Sequence, residues 1–138
     1  NSTATYITSN WARMTDDGYG TLGTGMSESS GVFTFPSTGI YLILAQFDWG
    51  NSSSKSNCYG YISVTENNSD YSDASIALTR IADDNNNATC YCHHTFDVTD
   101  TSTHKIMMKV YVNNANTNLM GSSTRYESGF IFIRLGDT

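Results

Sequence analysis

Three glycines reproduce the spacing of a nucleotide-binding loop. Gly18, Gly20 and Gly23 follow the pattern G-x-G-x-x-G. Such a loop holds a pyrophosphate where it joins a strand to the first turn of a helix, because the helix amides bind the phosphates. The residues that follow Gly23 show no helical spacing of apolar side chains. We therefore expect a loop between strands and no bound dinucleotide.

Cysteine and histidine side chains cluster between positions 90 and 94. Cys90, Cys92, His93 and His94 are the residue types that bind zinc. A four-coordinate site usually draws on two separated ligand pairs, and the sequence offers no second pair. A strand would also send His93 and His94 to opposite faces. We predict ordinary strand residues and no metal site within one subunit, although a threefold axis could gather three copies of one His or Asp.

The three cysteines are an odd number and form a poor disulfide framework. In a strand, Cys90 and Cys92 point to the same face, too far apart to bond each other comfortably. Free cysteine behaves as a small apolar residue. We predict three buried thiols; a disulfide between Cys58 and one of the other two is the alternative.

Paired aspartates are the remaining candidates for ion binding. Carboxylates in turns can hold Ca²⁺ together with backbone carbonyls, but none of these pairs fits the twelve-residue calcium loop. We interpret them as solvated turn residues, no cofactor is predicted, and Ca²⁺ stays the alternative. The pairs are Asp16 with Asp17, Asp70 with Asp73, Asp83 with Asp84, and Asp97 with Asp100.

The sequence carries no signature of a catalytic nucleophile. The stretch from Gly25 to Ser29 lacks the second glycine of the G-x-S-x-G elbow. Serine, histidine and aspartate are all present, but serine is so frequent that their presence has almost no weight. We predict that the protein is not an enzyme.

The composition predicts which elements must position these residues. The chain has 138 residues, of which 18 are Ser, 18 Thr and 13 Asn, and 12% are aromatic. Ser, Thr and Asn compete with the helix backbone for hydrogen bonds, whereas Thr and aromatic residues favour a pleated surface. We therefore predict an all-β antiparallel sandwich that forms a single domain over residues 1–138.

Alternation with period two indicates about eight strands separated by turn clusters. The strand from Ile40 has apolar residues on both faces, with Leu42 and Leu44 on one and Tyr41 and Ile43 on the other, so we expect a central strand buried on both sides. The predicted strands are Thr5–Trp11, Val32–Phe35, Ile40–Trp49, Tyr59–Thr65, Ala74–Ile81, Thr89–Val98, His104–Val112 and Tyr126–Leu135.

The net charge of −6 excludes several partners. A nucleic-acid binder needs clustered Lys and Arg to displace counterions, and an anionic membrane surface attracts basic segments. No apolar run approaches the length of a membrane span. We expect no nucleic acid and no membrane insertion. Because Asn1 is not Met, we expect a processed product or part of a longer protein.

Two segments carry motifs with a specific order of residues. Phe33, Pro36, Gly39 and Tyr41 form the pattern F-x-x-P-x-x-G-x-Y, and Ser128 begins an S-G-F segment close to the end of the chain. These motifs resemble the signature and the final strand of the complement globular-head and tumour-necrosis-factor-like (TNF-like) family. The resemblance implies a ten-stranded jelly roll that assembles as a compact homotrimer. The Ser/Thr/Asn-rich, charge-poor surface is more similar to trimeric knobs and decorations of virus or bacteriophage particles.

Our function hypothesis is therefore a homotrimeric structural protein of a virus particle, located on the virion surface or outside the cell, with other virion proteins as partners. The first alternative is an adhesin that binds a receptor or glycan, and the second is a secreted cytokine-like or complement-like ligand. We expect the trimer interface at Tyr41, Ile43, Phe47, Phe130 and Phe132, and ligand binding at Trp49, Asn51, Tyr71 and Asp73.

Overall fold

The computed structural model describes residues 3–16, 18–52 and 55–138. In these ranges the regular structure consists of strands, and none of it is a helix long and apolar enough to cross a membrane. The strands are β1 (Thr5–Tyr6), β2 (Ser27–Ser29), β3 (Val32–Thr34), β4 (Gly39–Asn51), β5 (Ser56–Thr65), β6 (Ser72–Ile81), β7 (Asn87–Val98), β8 (Lys105–Val112), β9 (Thr117–Leu119) and β10 (Gly129–Gly136).

The strands form two antiparallel sheets that pack face to face. One sheet has six strands in the order β2-β3-β8-β5-β6, with β1 pairing β8 beside β3. The other has four strands in the order β10-β4-β7, with β9 pairing the end of β4. Side chains from both sheets interdigitate in one hydrophobic core, as in sandwiches generally.

The predicted strand positions hold for the long strands and differ at the ends of the chain. The first strand stops at Tyr6 instead of reaching Trp11, and Asn10 adopts a positive φ of 64° that extended backbone does not allow. The Trp11 indole donates a hydrogen bond to the Ile7 carbonyl at 3.0 Å and stacks on Phe130. Trp11 therefore covers an edge of the core from a loop.

The two short strands β2 and β9 were not predicted. Their sequences, Ser-Glu-Ser and Thr-Asn-Leu, are too short and polar to show an apolar alternation. Both form because a neighbouring strand offers them a partner. In β2 the partner is β3, across a turn in which Ser30 and Gly31 both have positive φ.

Strand β4 is central in its sheet, as predicted, but in the subunit only one of its faces is buried. Tyr41, Ile43 and Phe47 point into the core with exposed fractions of 3%, 0% and 0%. Leu42 and Leu44 point away from the core and are half-buried. The expectation of burial on both sides is wrong for the single subunit.

The signature around Gly39 has a structural explanation. Gly39 has a φ of 142°, and a Cβ there would lie 2.5 Å from the Gly136 carbonyl oxygen, so a side chain is excluded on both grounds. Two residues later, the Tyr41 hydroxyl donates to the Ser37 carbonyl at 2.9 Å. Pro36 lies between β3 and β4, where its missing N–H costs no ladder hydrogen bond.

Candidate functional site

The outer face of the four-stranded sheet is apolar along β4 and β10. On it, Leu44 lies opposite Ile131 and Leu42 lies opposite Ile133, so aliphatic side chains form adjacent cross-strand rows. Ile133 is 43% exposed and Leu135 is 59% exposed. We name this surface the apolar face, which comprises Ile40, Leu42, Leu44, Tyr91, Ile131, Ile133 and Leu135.

A groove of about 290 Å³ opens at one end of the apolar face, between Leu44, Tyr91, Tyr126 and Ile131. Tyr126 forms one wall, and its hydroxyl donates to the Gly129 carbonyl at 2.9 Å. Burial raises the pKa of Tyr126 to about 12, so this phenol stays neutral at physiological pH. The groove is therefore uncharged along this wall and suited to an apolar side chain.

The residues expected at the trimer interface lie on the opposite side of this sheet. The burial of Tyr41, Ile43 and Phe47 removes them from any surface that a second subunit could contact. Phe130 and Phe132 are half-buried and pack against the same core. The apolar side chains on the outer face belong to the alternate residues of the same strands, because successive residues of a strand point to opposite faces.

The outer face of the six-stranded sheet carries tyrosines from several strands. Tyr59 lies opposite Tyr111, and Tyr61 lies opposite Lys109, which also pairs with Tyr6 of β1. Burial raises the pKa of Tyr61, so its phenol remains a hydroxyl donor. We name this surface the tyrosine face, which comprises Tyr6, Tyr59, Tyr61, Tyr71, Lys109 and Tyr111.

The four predicted ligand-binding residues do not form one site. Trp49 is 1% exposed and Asn51 is 6% exposed, so neither offers a surface to a ligand. Tyr71 belongs to the tyrosine face, with its ring 5.9 Å from that of Tyr6. Asp73 lies beside this face and contacts the Lys109 ammonium group. Only the second pair is therefore placed together on an accessible surface.

Solved structures with a similar fold are known. Murine APRIL at pH 5.0 superposes with a TM-score of 0.59 and 20% identity over 83% of this chain and 80% of that chain. Eiger TNF from S. frugiperda superposes with a TM-score of 0.58 and 14% identity over 79% of this chain and 67% of that chain. Murine APRIL at pH 8.0 superposes with a TM-score of 0.59 and 16% identity over 94% of this chain and 95% of that chain.

The fold is a TNF-like jelly roll. The prediction of an all-β antiparallel jelly roll is thereby confirmed. The sequence itself matches no protein-family model and no curated protein. At identities of 20% and below, the likeness to these TNF-like structures defines the fold alone.

In this TNF-like fold β7 sends His93 and His94 to opposite faces, as the alternation of a strand requires. Cys90 and Cys92 point into the core, whereas His93 points outward. The ring of His94 faces Phe96, and burial lowers the pKa of His94. Within the described ranges, no group of three His, Cys, Asp or Glu side chains converges as a metal site would require.

All three cysteines are free and buried, as the sequence predicts. Burial raises the pKa of each thiol. Near neutral pH the native protein should therefore leave Cys58, Cys90 and Cys92 unreacted with a thiol reagent, because the thiolate is the reactive form. Unfolding in guanidinium without reductant should expose all three. Fewer than three reactive thiols in the unfolded chain would indicate a disulfide and contradict the prediction.

The glycine triplet and most of the described paired aspartates lie in loops. Asp73 lies in β6 and Asp97 lies in β7, so the interpretation of these two as turn residues is wrong. Asp70 accepts a hydrogen bond from the Asn67 amide group at 2.7 Å, and Asp73 accepts one from Ser63, so the two carboxylates serve different partners. Asp100 accepts hydrogen bonds from Ser102, which lower the pKa of its carboxyl group. The glycines lie between β1 and β2, outside regular structure, and Asp17 lies outside the described residues.

Proposed function

We propose that residues 1–138 form one jelly-roll domain that assembles as a non-enzymatic homotrimer through the apolar face. The observation that carries this proposal is the cross-strand block of Leu42, Leu44, Ile131 and Ile133, which a single subunit leaves partly in water. Contiguous exposed apolar side chains on a soluble protein mark an interaction surface. The TNF-like resemblance implies a trimer, and this face gives such an assembly a surface to bury.

The apolar face has the composition of an interface core. Its side chains are aliphatic or aromatic, and polar side chains of β7 border it, with His93 opposite Leu44 and Asp97 opposite Ile40. Interface cores are depleted of charge, whereas their rims are polar. The groove beside Leu44 and Tyr126 would accept a side chain from the neighbouring copy. The burial of such an anchor usually contributes much of the binding free energy.

A charge placed at the centre of the apolar face should dissociate the trimer. Leu44→Glu puts a carboxylate between Ile131 and His93, where assembly would desolvate it. We expect the native protein to have about three times the subunit mass of 15.2 kDa and the variant to have the subunit mass. Light scattering measures both, and far-ultraviolet circular dichroism checks that the variant keeps its fold.

Leu78→Glu is the matched control for this experiment. Leu78 is also an exposed leucine in a strand, but it lies on the outer face of the other sheet. We expect its variant to keep the trimeric mass. A native protein that is a stable monomer at micromolar concentration would overturn the proposal. A Leu44→Glu variant that stays trimeric would show that the interface is not the apolar face.

We further propose that the trimer is a structural protein of a virus particle, exposed on the virion surface as a decoration or fibre head. The support is compositional: charged residues make up only 14% of the chain, and Ser, Thr and Asn replace them. Such a surface depends little on charge interactions that salt would screen. Imaging of particles from the native source, labelled with an antibody to this chain, should show it at symmetry-related positions.

The secreted cytokine-like or complement-like ligand remains the alternative, because it would use the same trimer. The two roles predict different locations for the protein. Trimers found free in the surrounding medium, with none on particles, would favour the secreted ligand. The gene would then encode a signal sequence or a collagen-like stalk upstream of Asn1.

A further inference from the structure

The tyrosine face is an aromatic surface that the proposed trimer leaves unused. The rings of Tyr59 and Tyr61 are nearly parallel, with an interplanar angle of 14° and centroids 6.5 Å apart. Tyr111 meets Tyr59 edge-on at 5.4 Å. Because neighbouring strands hold these side chains, their mutual positions are fixed before any ligand arrives. A ligand would therefore meet a preorganised surface at little cost in side-chain entropy.

The charge at the tyrosine face is balanced. The Lys109 ammonium group lies 4.8 Å from the centre of the Tyr61 ring and 5.8 Å from that of Tyr6. Its charge is compensated by Asp73, whose other carboxylate oxygen accepts a hydrogen bond from the Ser63 hydroxyl at 2.7 Å. The chain as a whole carries a net charge of −6. An anionic ligand would therefore find no uncompensated cation here and would be repelled at long range.

We propose that the tyrosine face binds a neutral oligosaccharide. The C–H face of a pyranose ring is apolar and stacks on an aromatic ring, while its hydroxyls need hydrogen-bond partners at the edges. Tyr59 and Tyr61 provide two adjacent rings, and the Tyr61 phenol, Asp73 and Lys109 provide donors and acceptors. Tyrosine combines an apolar body with a polar tip, which suits a ligand that is itself amphipathic.

The edge of the sheet next to the rings extends the proposed site. Ile76 lies opposite Tyr61 and Leu78 lies opposite Tyr59, and both side chains are more than half exposed. They continue each cross-strand row outward, so the aromatic platform is bordered by aliphatic surface on β6. An oligosaccharide longer than two sugar rings would contact this border. The site therefore fits an extended chain better than a monosaccharide.

Titration calorimetry of the full chain tests the proposal with a defined panel of sugars. Cellohexaose, maltohexaose, mannohexaose and chitohexaose are the neutral probes, and a heparin hexasaccharide and sialyllactose are the anionic ones. We expect at least one neutral probe to bind with a Kd of about 1 mM or tighter. Tyr61→Ala should weaken that binding about tenfold, because it removes a stacking ring, whereas Tyr61→Phe should retain most of it.

Tyr19→Ala is the matched control, since Tyr19 is an exposed tyrosine in the loop between β1 and β2. It should leave the affinity unchanged, and Tyr111→Ala replaces Tyr61→Ala if the latter fails to fold. The absence of binding by all four neutral probes, preference for an anionic probe, or full affinity after loss of the ring would each overturn the proposal. Leu44→Glu should bind the sugar per subunit as the native chain does, so failure of the trimer and failure of sugar binding are distinguishable.

Discussion

Replacement of Phe47 by alanine should lower the free energy of unfolding by about 3–5 kcal/mol. The Phe47 ring is fully buried in the middle of β4 and packs on Gly60 of the opposite sheet. The backbones around the ring are held by strand pairing, Phe47 with Cys90 and Gly60 with Ala77 and Val110, so the site cannot collapse to fill the cavity. Guanidinium denaturation followed by tryptophan fluorescence measures the loss.

The Phe47→Ala loss should be the same at low and high protein concentration, because the ring contacts the core of its own subunit. A change at a subunit interface would instead alter a stability that depends on concentration. Leu78→Ala, at an exposed position of β6, is the control and should change the free energy by no more than about 0.5 kcal/mol. A Phe47→Ala variant that lost its trimeric mass but kept its subunit stability would show that Phe47 contributes to the subunit interface.

Gly60→Ala should destabilise the protein by about 1–3 kcal/mol, although alanine ordinarily stabilises a strand relative to glycine. A Cβ at Gly60 would overlap the Phe47 ring, lying 2.5 Å from Cδ1 and still nearer to Cγ and Cδ2. These atoms belong to a fully buried ring that has no free space in which to move. The sign of the effect therefore reports the packing of β5 against β4.

Two further variants make the Gly60 prediction specific. Gly136→Ala is the matched control, because a Cβ at this strand glycine meets no atom within 4 Å, and it should be neutral or slightly stabilising. In a Phe47→Ala background the Gly60→Ala loss should shrink, since the overlapping ring is gone. Equal losses in both backgrounds would show that the contact between Gly60 and Phe47 is not the cause.

Residue type alone does not distinguish the buried members of the predicted ligand-binding set from the accessible ones. Trp49 and Asn51 border a polar stretch of the sequence, but β4 extends to Asn51 and carries both into the buried part of the sandwich. Tyr71 and Asp73 also border a polar stretch, and they lie at the tyrosine face. Loop chemistry alone could not separate the two pairs, because burial depends on where the strand ends.

The sequence shows each half of the tyrosine face as an alternation of residues, but only the pairing of strands shows that the two halves lie together. Tyr59 and Tyr61 alternate along β5, as do Lys109 and Tyr111 along β8, which places each pair on one face of its strand. The register of β5 with β8 then puts the two pairs side by side. A one-residue slip between these strands would have sent one pair to the opposite face.

The sequence by itself determined the all-β class, the long strands, the turn at Gly39 and the buried thiols, because composition, alternation and turn chemistry act locally. Only the tertiary structure decided which face of β4 enters the core. Both faces are apolar, with Leu42 and Leu44 on one and Tyr41 and Ile43 on the other. An alternation with period two assigns the residues to two faces, but it does not show which face is buried in the core. The choice depends on which side chains fit against the opposite sheet, where Phe47 finds the space that Gly60 leaves.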